Sequence, residues 1–337
     1  MEIKLTKYIY IFSRQIPIQN RISIRCGNKT SLYYRAVRHL IIYILICIHL
    51  FSGCSSNQNN QNVLDSKKID TLIKVQKVND RTVMVNFGFD AVTAIKTMHG
   101  IVLVDAGIST VLTDKYRNTI ENVFHQNDYV YVINTHGHHD HIAGNGIFSE
   151  AKVVGHENCK NDISEQWTNP EKSMINLSKI VEDYEQQLQQ AMPNTTEWND
   201  IFTQKIRYMS AFWDVKNHVS VKLPGITFSD SMKIELEDTT IEMIYFGKFH
   251  SNSDILIYVP EIRVLFIGDL FSKYGRPGMS NSLITDEIRW MQAIEWIKKR
   301  TNNIETIIDG HGQILSIDDV KLFTTNLLKK CSNGENK

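Results

Sequence analysis

Four histidines and one aspartate lie within the seven residues THGHHDH at positions 135–141. The whole chain of 337 residues has twelve histidines, so this density is a local feature. Imidazole nitrogens and carboxylate oxygens are ligands that zinc prefers. On an extended strand end, residues two apart point the same way, so His136 and His138 can converge on one ion, while Asp140 and His141 face a neighbouring position. The alternative is a solvated polar loop, because short motifs have false positives.

Apolar runs on both sides of this cluster predict the elements that position it. A short apolar strand at 129–133 leads directly into the histidines. Further strands are predicted at 75–85, 91–95, 101–104, 152–154, 232–236, 241–246, 255–259, 264–267 and 306–308, and helices at 111–124, 286–299 and 317–330. Two strand-rich halves, each ending in helices, predict an α/β fold. We expect a four-layer αββα sandwich of two mixed β-sheets with outer helices.

Residues 157–216 differ from their surroundings and form a predicted helical insertion. They are rich in Gln, Glu, Asn and Lys, with aromatic and aliphatic side chains at helical intervals. This pattern predicts two or three helices, interrupted near Pro193. The aromatic side chains either cover the histidine cluster or fasten the helices to a sheet, and the sequence leaves both open.

The N-terminal segment 1–54 resembles an export signal. Eight Lys or Arg residues and one acid in residues 1–39 precede the apolar run 40–51, which is too short for a comfortable membrane span. The residues Phe51-Ser52-Gly53-Cys54 resemble a bacterial lipobox, so we expect Cys54 to bear a lipid anchor. An uncleaved membrane-anchoring helix is the alternative. Either interpretation predicts an extracytoplasmic, membrane-tethered protein in the periplasm or on the cell surface.

The rest of the chain divides into a tether and one domain. Residues 55–71 begin with SSNQNNQN and predict a flexible polar tether, and residues 72–330 form one predicted domain that includes the helical insertion. Lys plus Arg and Asp plus Glu balance at 37 each, so no basic field attracts nucleic acid. We therefore expect no nucleic-acid partner. Apart from this charge argument, a small-molecule substrate is expected and no protein partner is predicted.

The cluster fits the HxHxDH signature of the metallo-β-lactamase superfamily, and further landmarks of that family follow the expected order. The Asp-x-Gly turn of the family is matched by Asp105-Ala106-Gly107, which precedes the cluster in the chain. Downstream, the chain resembles the family in its third-histidine segment at 246–250, in Gly268-Asp269 and in Gly310-His311-Gly312. The similarity covers about residues 76–325 apart from the insertion.

The resemblance implies a centre with two metal ions, zinc in the first place and iron or manganese as alternatives. One ion would be held by His136, His138 and His250, and the second by Asp140, His141 and His311, with Asp269 bridging both. Asp140 would also be catalytic, orienting the nucleophile. Asp105 and Thr135 would support the ligands from behind. His250 stands in Phe-His-Ser rather than the usual Gly-His-Thr, and its competitors His156 and His218 are expected to be solvated.

The implied activity is zinc-dependent hydrolysis, in which a metal-bridging hydroxide attacks an ester, thioester, lactone or related carbonyl. Asp269 and His141 stand where well-known β-lactamases have cysteine and arginine, so the ligand set is closer to glyoxalase II and lactonases. A β-lactamase and an iron-dependent redox relative are the alternatives. The balanced charge argues against a nuclease. The complete ligand set argues against a binding module that has lost its catalytic activity.

Overall fold

The strands form two mixed β-sheets in a computed structural model of the protein, which describes residues 67–162, 169–270, 287–322 and residue 325. The first sheet has seven strands in chain order: β1 (Lys74–Asn79), β2 (Thr82–Phe87), β3 (Asp90–Thr97), β4 (Gly100–Val104), β5 (Tyr129–Ile133), β6 (Lys152–His156) and β7 (Ile226–Phe228). Strands β1 to β4 pair antiparallel, and β4 to β7 pair parallel.

The second sheet has six strands in the order β13-β12-β11-β10-β9-β8. Their bounds are β8 (Ser231–Leu236), β9 (Thr239–Tyr245), β10 (Ile255–Val259), β11 (Val264–Phe266), β12 (Thr306–Ile308) and β13 (Ile314–Leu315). Only β11 and β12 pair parallel; the other pairs are antiparallel. Strands β9, β11 and β12 therefore run in the same direction and end at the same edge.

Five helices flank the sheets: α1 (Thr110–Phe124), α2 (His139–Ile142), α3 (Pro170–Gln190), α4 (Thr196–Lys216) and α5 (Glu287–Lys298). Two short 3-10 helices, Ala143–Ile147 and Pro260–Ile262, connect elements, and residues 67–72 and 317–322 are also helical. Within the described ranges, no helix combines the length and apolar character that crossing a membrane requires.

Alternate side chains of β4 divide the interior into layers, as the two-residue period of a strand requires. Ile101 and Leu103 pack in a core with side chains of α1 and α4, while Val102 and Val104 pack in the core between the two sheets. A third core joins the second sheet to α5 through Trp290. These layers are helix, sheet, sheet and helix, so the predicted αββα sandwich is confirmed.

The helical insertion folds as two long helices separated by residues 191–195, as the sequence around Pro193 indicates. Each helix has a side-chain cap: Asn169 accepts from the Lys172 N–H, and Thr195 from the Trp198 N–H. Trp198, Phe202 and Tyr208 pack against the core of the first sheet. These three aromatic side chains therefore fasten the insertion to the first sheet.

The beginning of the domain differs from the expected boundary at residue 72. Residues 67–72 are helical, Ile69 is buried in the first core, and Asp70 pairs with Lys115. Apolar burial therefore fixes the last part of the expected tether 55–71 to the domain. The export segment 1–54, including Cys54, lies outside the described residues.

Candidate metal centre

The predicted ligands follow strands that end at one edge of the sandwich. His136, His138, Asp140 and His141 follow β5, His250 follows β9, Asp269 follows β11, and His311 follows β12. The two sheets are joined here by a backbone hydrogen bond in which the Ile255 N–H donates to the Thr135 carbonyl at 2.9 Å. The parallel strand ends thus bring together residues that are up to 175 positions apart in sequence.

Three imidazoles converge in the first group of the centre. The Nδ1 atom of His138 lies 3.1 Å from Nε2 of His136 and 2.8 Å from Nε2 of His250. The ring of His136 is buried, and that of His250 is 16% exposed. One ligand nitrogen from each residue lies within 4.8 Å of the others, a separation that allows a single ion to bind all three.

Asp269 connects this group to a second one. Its Oδ2 atom lies 2.8 Å from Nε2 of His311 and 3.6 Å from Nε2 of His250, and its Oδ1 atom lies 3.6 Å from Nε2 of His141. Asp140, His141 and His311 offer ligand atoms within 4.8 Å of one another. The structure therefore brings all seven predicted ligands together, with Asp269 between the two groups.

The chemistry of these atoms fits metal ions. His141 Nε2 and Asp269 Oδ1 are buried and have no hydrogen-bond partner among the described residues. A buried polar atom left without a partner costs free energy, and a cation bound by these atoms would remove that cost. The donor set contains only imidazole nitrogens and carboxylate oxygens, which suits zinc and also iron or manganese.

Asp105 orients His141 from behind. The Thr135 N–H donates to Asp105 Oδ1 and the Thr135 hydroxyl donates to Oδ2, both at 2.8 Å, and His141 Nδ1 lies 3.0 Å from Oδ2. A hydrogen bond from Nδ1–H to the carboxylate fixes the ring so that His141 Nε2 faces the cluster. Asp105 and Thr135 thus lie where the resemblance places them, behind the ligands.

Asp254 organises the loop that contains His250. Its Oδ2 atom accepts hydrogen bonds from the backbone N–H groups of Phe249, His250 and Ser251, at 2.7–3.1 Å. Burial raises the pKa of Asp254 to about 7, although these N–H donors oppose the rise. Asp254 therefore fixes the backbone of the His250 loop just before β10 begins.

The pKa values of the first-group histidines and of His141 are shifted in opposite directions. Burial lowers the pKa of His250 to about 4, and it also lowers the pKa values of His136 and His138. These imidazoles are neutral at pH 7 and their lone pairs are available to a cation. Burial would also lower the pKa of His141, but the charges of Asp269 and its neighbouring aspartates outweigh it and raise that pKa well above its usual value.

Gly310 permits the close approach of the last histidine segment. A Cβ atom at this position would lie 2.4 Å from Asp269 Oδ1 and 2.8 Å from His141 Cε1, closer than real contacts allow. The Gly310 N–H donates to the Gly268 carbonyl at 2.7 Å. The glycine of the Gly-His-Gly motif is therefore needed because the backbone lies against two of the ligands.

The other histidines of the described residues lie outside both ligand groups. His218 is exposed, as expected. The expectation that His156 is solvated is wrong: its side chain is buried, stacks on Tyr245 with ring centroids 3.7 Å apart, and bonds the Ser229 carbonyl through Nε2 at 2.8 Å. The second sheet covers the end of β6, which the sequence pattern of β6 alone does not reveal. His139 is partly buried beside the cluster.

Two further features of the centre have no motif in the sequence. Ser253 accepts a hydrogen bond from the Gly137 N–H at 2.9 Å and donates to buried Asp162 at 2.6 Å, so it joins the loops that contain His138 and His250. Arg207 of the insertion reaches Asp140. Spacing along the chain gives no signal for these contacts, because each joins residues that are 67 or more positions apart in sequence.

Two facing mixed sheets with a histidine and aspartate cluster at one edge define the class of this protein as an αββα sandwich that can hold metal. The family model of the metallo-β-lactamase superfamily matches residues 85–311, more than half of the 337 residues. The chain therefore belongs to the metallo-β-lactamase superfamily, as the motifs indicated. Members of this superfamily are hydrolases, so the predicted class of enzyme is confirmed at the level of the family.

Several relatives and solved structures are similar to this chain. A Metallo-beta-lactamase type 2 from Bacillus sp. (strain 170) is 21% identical over 308 residues, covering 87% of this chain and 99% of that protein. Another Metallo-beta-lactamase type 2, from Bacillus cereus, is 23% identical and covers 70% of this chain and 71% of that protein. A double mutant of the sec-alkyl sulfatase PisA1 is 15% identical, covering 77% of this chain and 41% of that chain with a TM-score of 0.54, a likeness of fold alone.

Proposed function

We propose that the protein is a zinc-dependent hydrolase with two metal ions that cleaves an ester, thioester, lactone or related carbonyl substrate. The observation that supports this most is the position of Asp269 between the two ligand groups, within 3.6 Å of histidines from both. A carboxylate placed there can bind two ions at once. The neutral imidazoles of the first group and the buried unsatisfied atoms of the second favour cation binding on independent grounds.

The chain would hold one ion through His136, His138 and His250 and the other through Asp140, His141 and His311. When bound, such a pair supplies a hydroxide near neutral pH and polarises the carbonyl oxygen under attack. No serine or cysteine nucleophile is needed, so no covalent intermediate with the enzyme is expected.

Asp140 is the residue best placed to orient the attacking water. Burial opposes its ionisation, but the surrounding histidines and Arg207 hold its pKa far below the usual range. The carboxylate is therefore ionised and can accept a hydrogen bond from the attacking water. Its weak basicity makes it a group that orients the water rather than one that retains the proton. Its side chain is 22% exposed, so water and substrate can reach it.

A β-lactamase is the second candidate, because both relatives that match most of the chain are named Metallo-beta-lactamase type 2. A β-lactam is also a carbonyl substrate for the same attack. The fold does not decide between these substrates, since selectivity depends on the loops around the site. The presence of Asp269 and His141 in place of cysteine and arginine favours the first candidate. An iron-dependent redox enzyme is a third possibility for the same donor atoms.

The export segment suggests where the enzyme acts. We propose that Cys54 is lipidated and that the domain faces the periplasm or the exterior. Labelling cells with a radioactive fatty acid should mark the wild-type protein and leave Cys54→Ala unlabelled. Equal labelling of both would contradict the anchor and leave the proposal for the metal centre unaffected.

Metal quantification with a substrate panel tests the proposed activity. The purified chain should contain close to two zinc ions and hydrolyse at least one ester, thioester, lactone or β-lactam. The variant H138A should lose at least one ion and about 10³-fold or more in kcat/KM, because a ligand of the first group is gone. The control H218A removes an exposed histidine and should match the wild type. Iron in the purified chain, with no hydrolysis of the panel, would refute the proposal in favour of redox chemistry.

A further inference from the structure

An arginine of the helical insertion lies against the predicted metal centre. Arg207 of α4 is 4% exposed, and its Nη2 atom lies 3.6 Å from Oδ2 of Asp140 and 3.9 Å from Oδ1 of Asp90. Its Nη1 atom donates to Gln204 Oε1 at 2.9 Å. A buried guanidinium between two carboxylates is held by charge on both sides, and burial weakens screening by solvent.

Helix α4 is anchored to the sandwich on both sides of Arg207. On the N-terminal side, Thr203 packs so closely on Gly88 that a Cβ there would lie 2.4 Å from the threonine hydroxyl oxygen. On the C-terminal side, Asp214 accepts hydrogen bonds from the backbone N–H and the hydroxyl of Thr110, each at 2.7 Å. The position of Arg207 is therefore fixed by the docking of its helix.

Asp90 fixes the other side of the guanidinium. Its Oδ1 atom accepts from the Ile108 N–H at 3.1 Å, and its Oδ2 atom accepts from the Tyr116 hydroxyl at 2.7 Å. This carboxylate is 1% exposed and belongs to β3. The arginine thus lies between a carboxylate bound to the rigid sheet and a carboxylate of the ligand cluster.

The contact with Arg207 distinguishes the two oxygens of Asp140. Oδ2 faces Arg207, whereas Oδ1 faces His141 Nε2 at 3.8 Å, on the side of the second ligand group. We propose that Arg207 is a positioning residue that holds Asp140 with Oδ1 directed to the second metal ion. This assignment rests on the proposed two-ion centre and gives the insertion a role in it. A second-sphere contact of this kind acts on metal affinity without touching the ion.

A purely structural ion pair predicts a different result. If Arg207 only joins α4 to the sandwich, its removal lowers the stability of the fold and leaves both metal affinities as they were. If Arg207 positions Asp140, its removal weakens the second metal step selectively, because His136, His138 and His250 do not depend on it. The separation of the two binding steps is therefore the decisive measurement.

The experiment is a titration of the metal-free full chain with Zn²⁺ in competition with a chromophoric chelator, repeated with Co²⁺ to follow its visible spectrum. The variant R207M should weaken the second step by about 10- to 100-fold and change the first by less than about threefold. R207K, which returns a positive charge to the same cavity, should recover most of the loss. K205M is the matched control, since Lys205 lies on the same helix and pairs with Glu185 instead.

Each outcome decides the assignment. Two wild-type steps with an unchanged or stronger second step in R207M would overturn the role of Arg207 and leave the proposed function intact. A wild type that binds fewer than two ions would overturn the two-ion centre and this assignment together. If R207M does not fold, R207Q takes its place, because glutamine keeps an amide donor in the cavity. The affinity of the second metal step then decides the assignment for R207Q and R207K.

Discussion

The substitution Asp105→Asn tests how the protein prepares His141 for metal. The Thr135 N–H donates to Asp105 Oδ1 at 2.8 Å, so the oxygen of an asparagine must remain on that side. Its NH₂ group then replaces Oδ2 and faces His141 Nδ1 at 3.0 Å. Asparagine also tolerates the left-handed backbone of residue 105, which has φ of 58°. The variant is therefore expected to fold.

The new amide opposes the histidine tautomer that metal binding requires. Metal binding at Nε2 of His141 needs a proton on Nδ1, and two N–H donors would then face each other. The alternative tautomer accepts from the amide at Nδ1 but has its proton on Nε2, where the ion should bind. The lost interaction is a hydrogen bond to a charged group, worth about 1.5–3 kcal/mol. At 1.4 kcal/mol per factor of ten, the second zinc affinity should fall about 10- to 100-fold.

A competition titration with zinc measures this change, and Asp309→Asn provides the control. Asp309 Oδ1 accepts from the His311 and Gln313 N–H groups at 2.9 and 2.8 Å, while its buried Oδ2 has no partner among the described residues. D309N therefore removes a nearby carboxyl group without opposing a histidine, and its effect should stay below about threefold. Equal second affinities in D105N and D309N would refute the argument from the tautomer.

Two further measurements examine the protonation and packing of the centre. Because the pKa of His141 is raised well above its usual value, its imidazole is protonated in the metal-free chain at pH 7, and zinc must displace that proton. Zinc-binding heats measured by calorimetry in buffers of different ionisation enthalpy should show about one proton released per chain from this site. The zinc affinity should also rise as pH rises. Identical binding heats in all buffers would contradict this protonation state. Gly144→Ala should lower the free energy of unfolding by about 1–3 kcal/mol or more, because the new Cβ would lie 2.1 Å from the Ala106 carbonyl oxygen and the Thr113 hydroxyl oxygen. In the control Gly146→Ala, the new Cβ meets nothing within 4 Å, so this variant should unfold at nearly the wild-type denaturant concentration. An equal loss of unfolding free energy in both variants would show that the overlap at residue 144 is relieved at no cost.

Apolar patterning predicted most elements of this fold, since each long element buries one face. The strands at 129–133, 255–259 and 306–308 have the predicted bounds, and α1 begins one residue before the predicted helix. Strands β7 and β13 were not predicted. They have three and two residues and depend on pairing with β6 and β12, so their own sequences contain too little periodicity to indicate a strand.

The predicted ligand set could be found because each ligand stands in a short motif at the end of a strand. The residues that position the ligands have no such motif. Arg207 lies on a helix whose apolar face predicts packing but not which sheet edge the helix contacts. Asp162, in a helical turn after β6, meets Ser253 only through the tertiary fold, and the burial of His156 likewise depends on the second sheet. Tertiary contacts of this kind determine geometry, and residue spacing does not contain them.

The centre couples the two sheets because neither sheet supplies a complete set of ligands. His138 comes from the first sheet and His250 and Asp269 from the second, and the nitrogens of the two histidines lie 2.8 Å apart. A hydrogen bond between two neutral imidazoles contributes only about 0.5–1.5 kcal/mol, so a cation should provide most of the attraction between these loops. A ligand that binds only the folded state stabilises it by about 4 kcal/mol at a thousand times its dissociation constant. The hydrogen bonds of Asp105, Asp254 and Ser253 reduce the ordering cost of binding, because they hold the loops in place before a metal arrives.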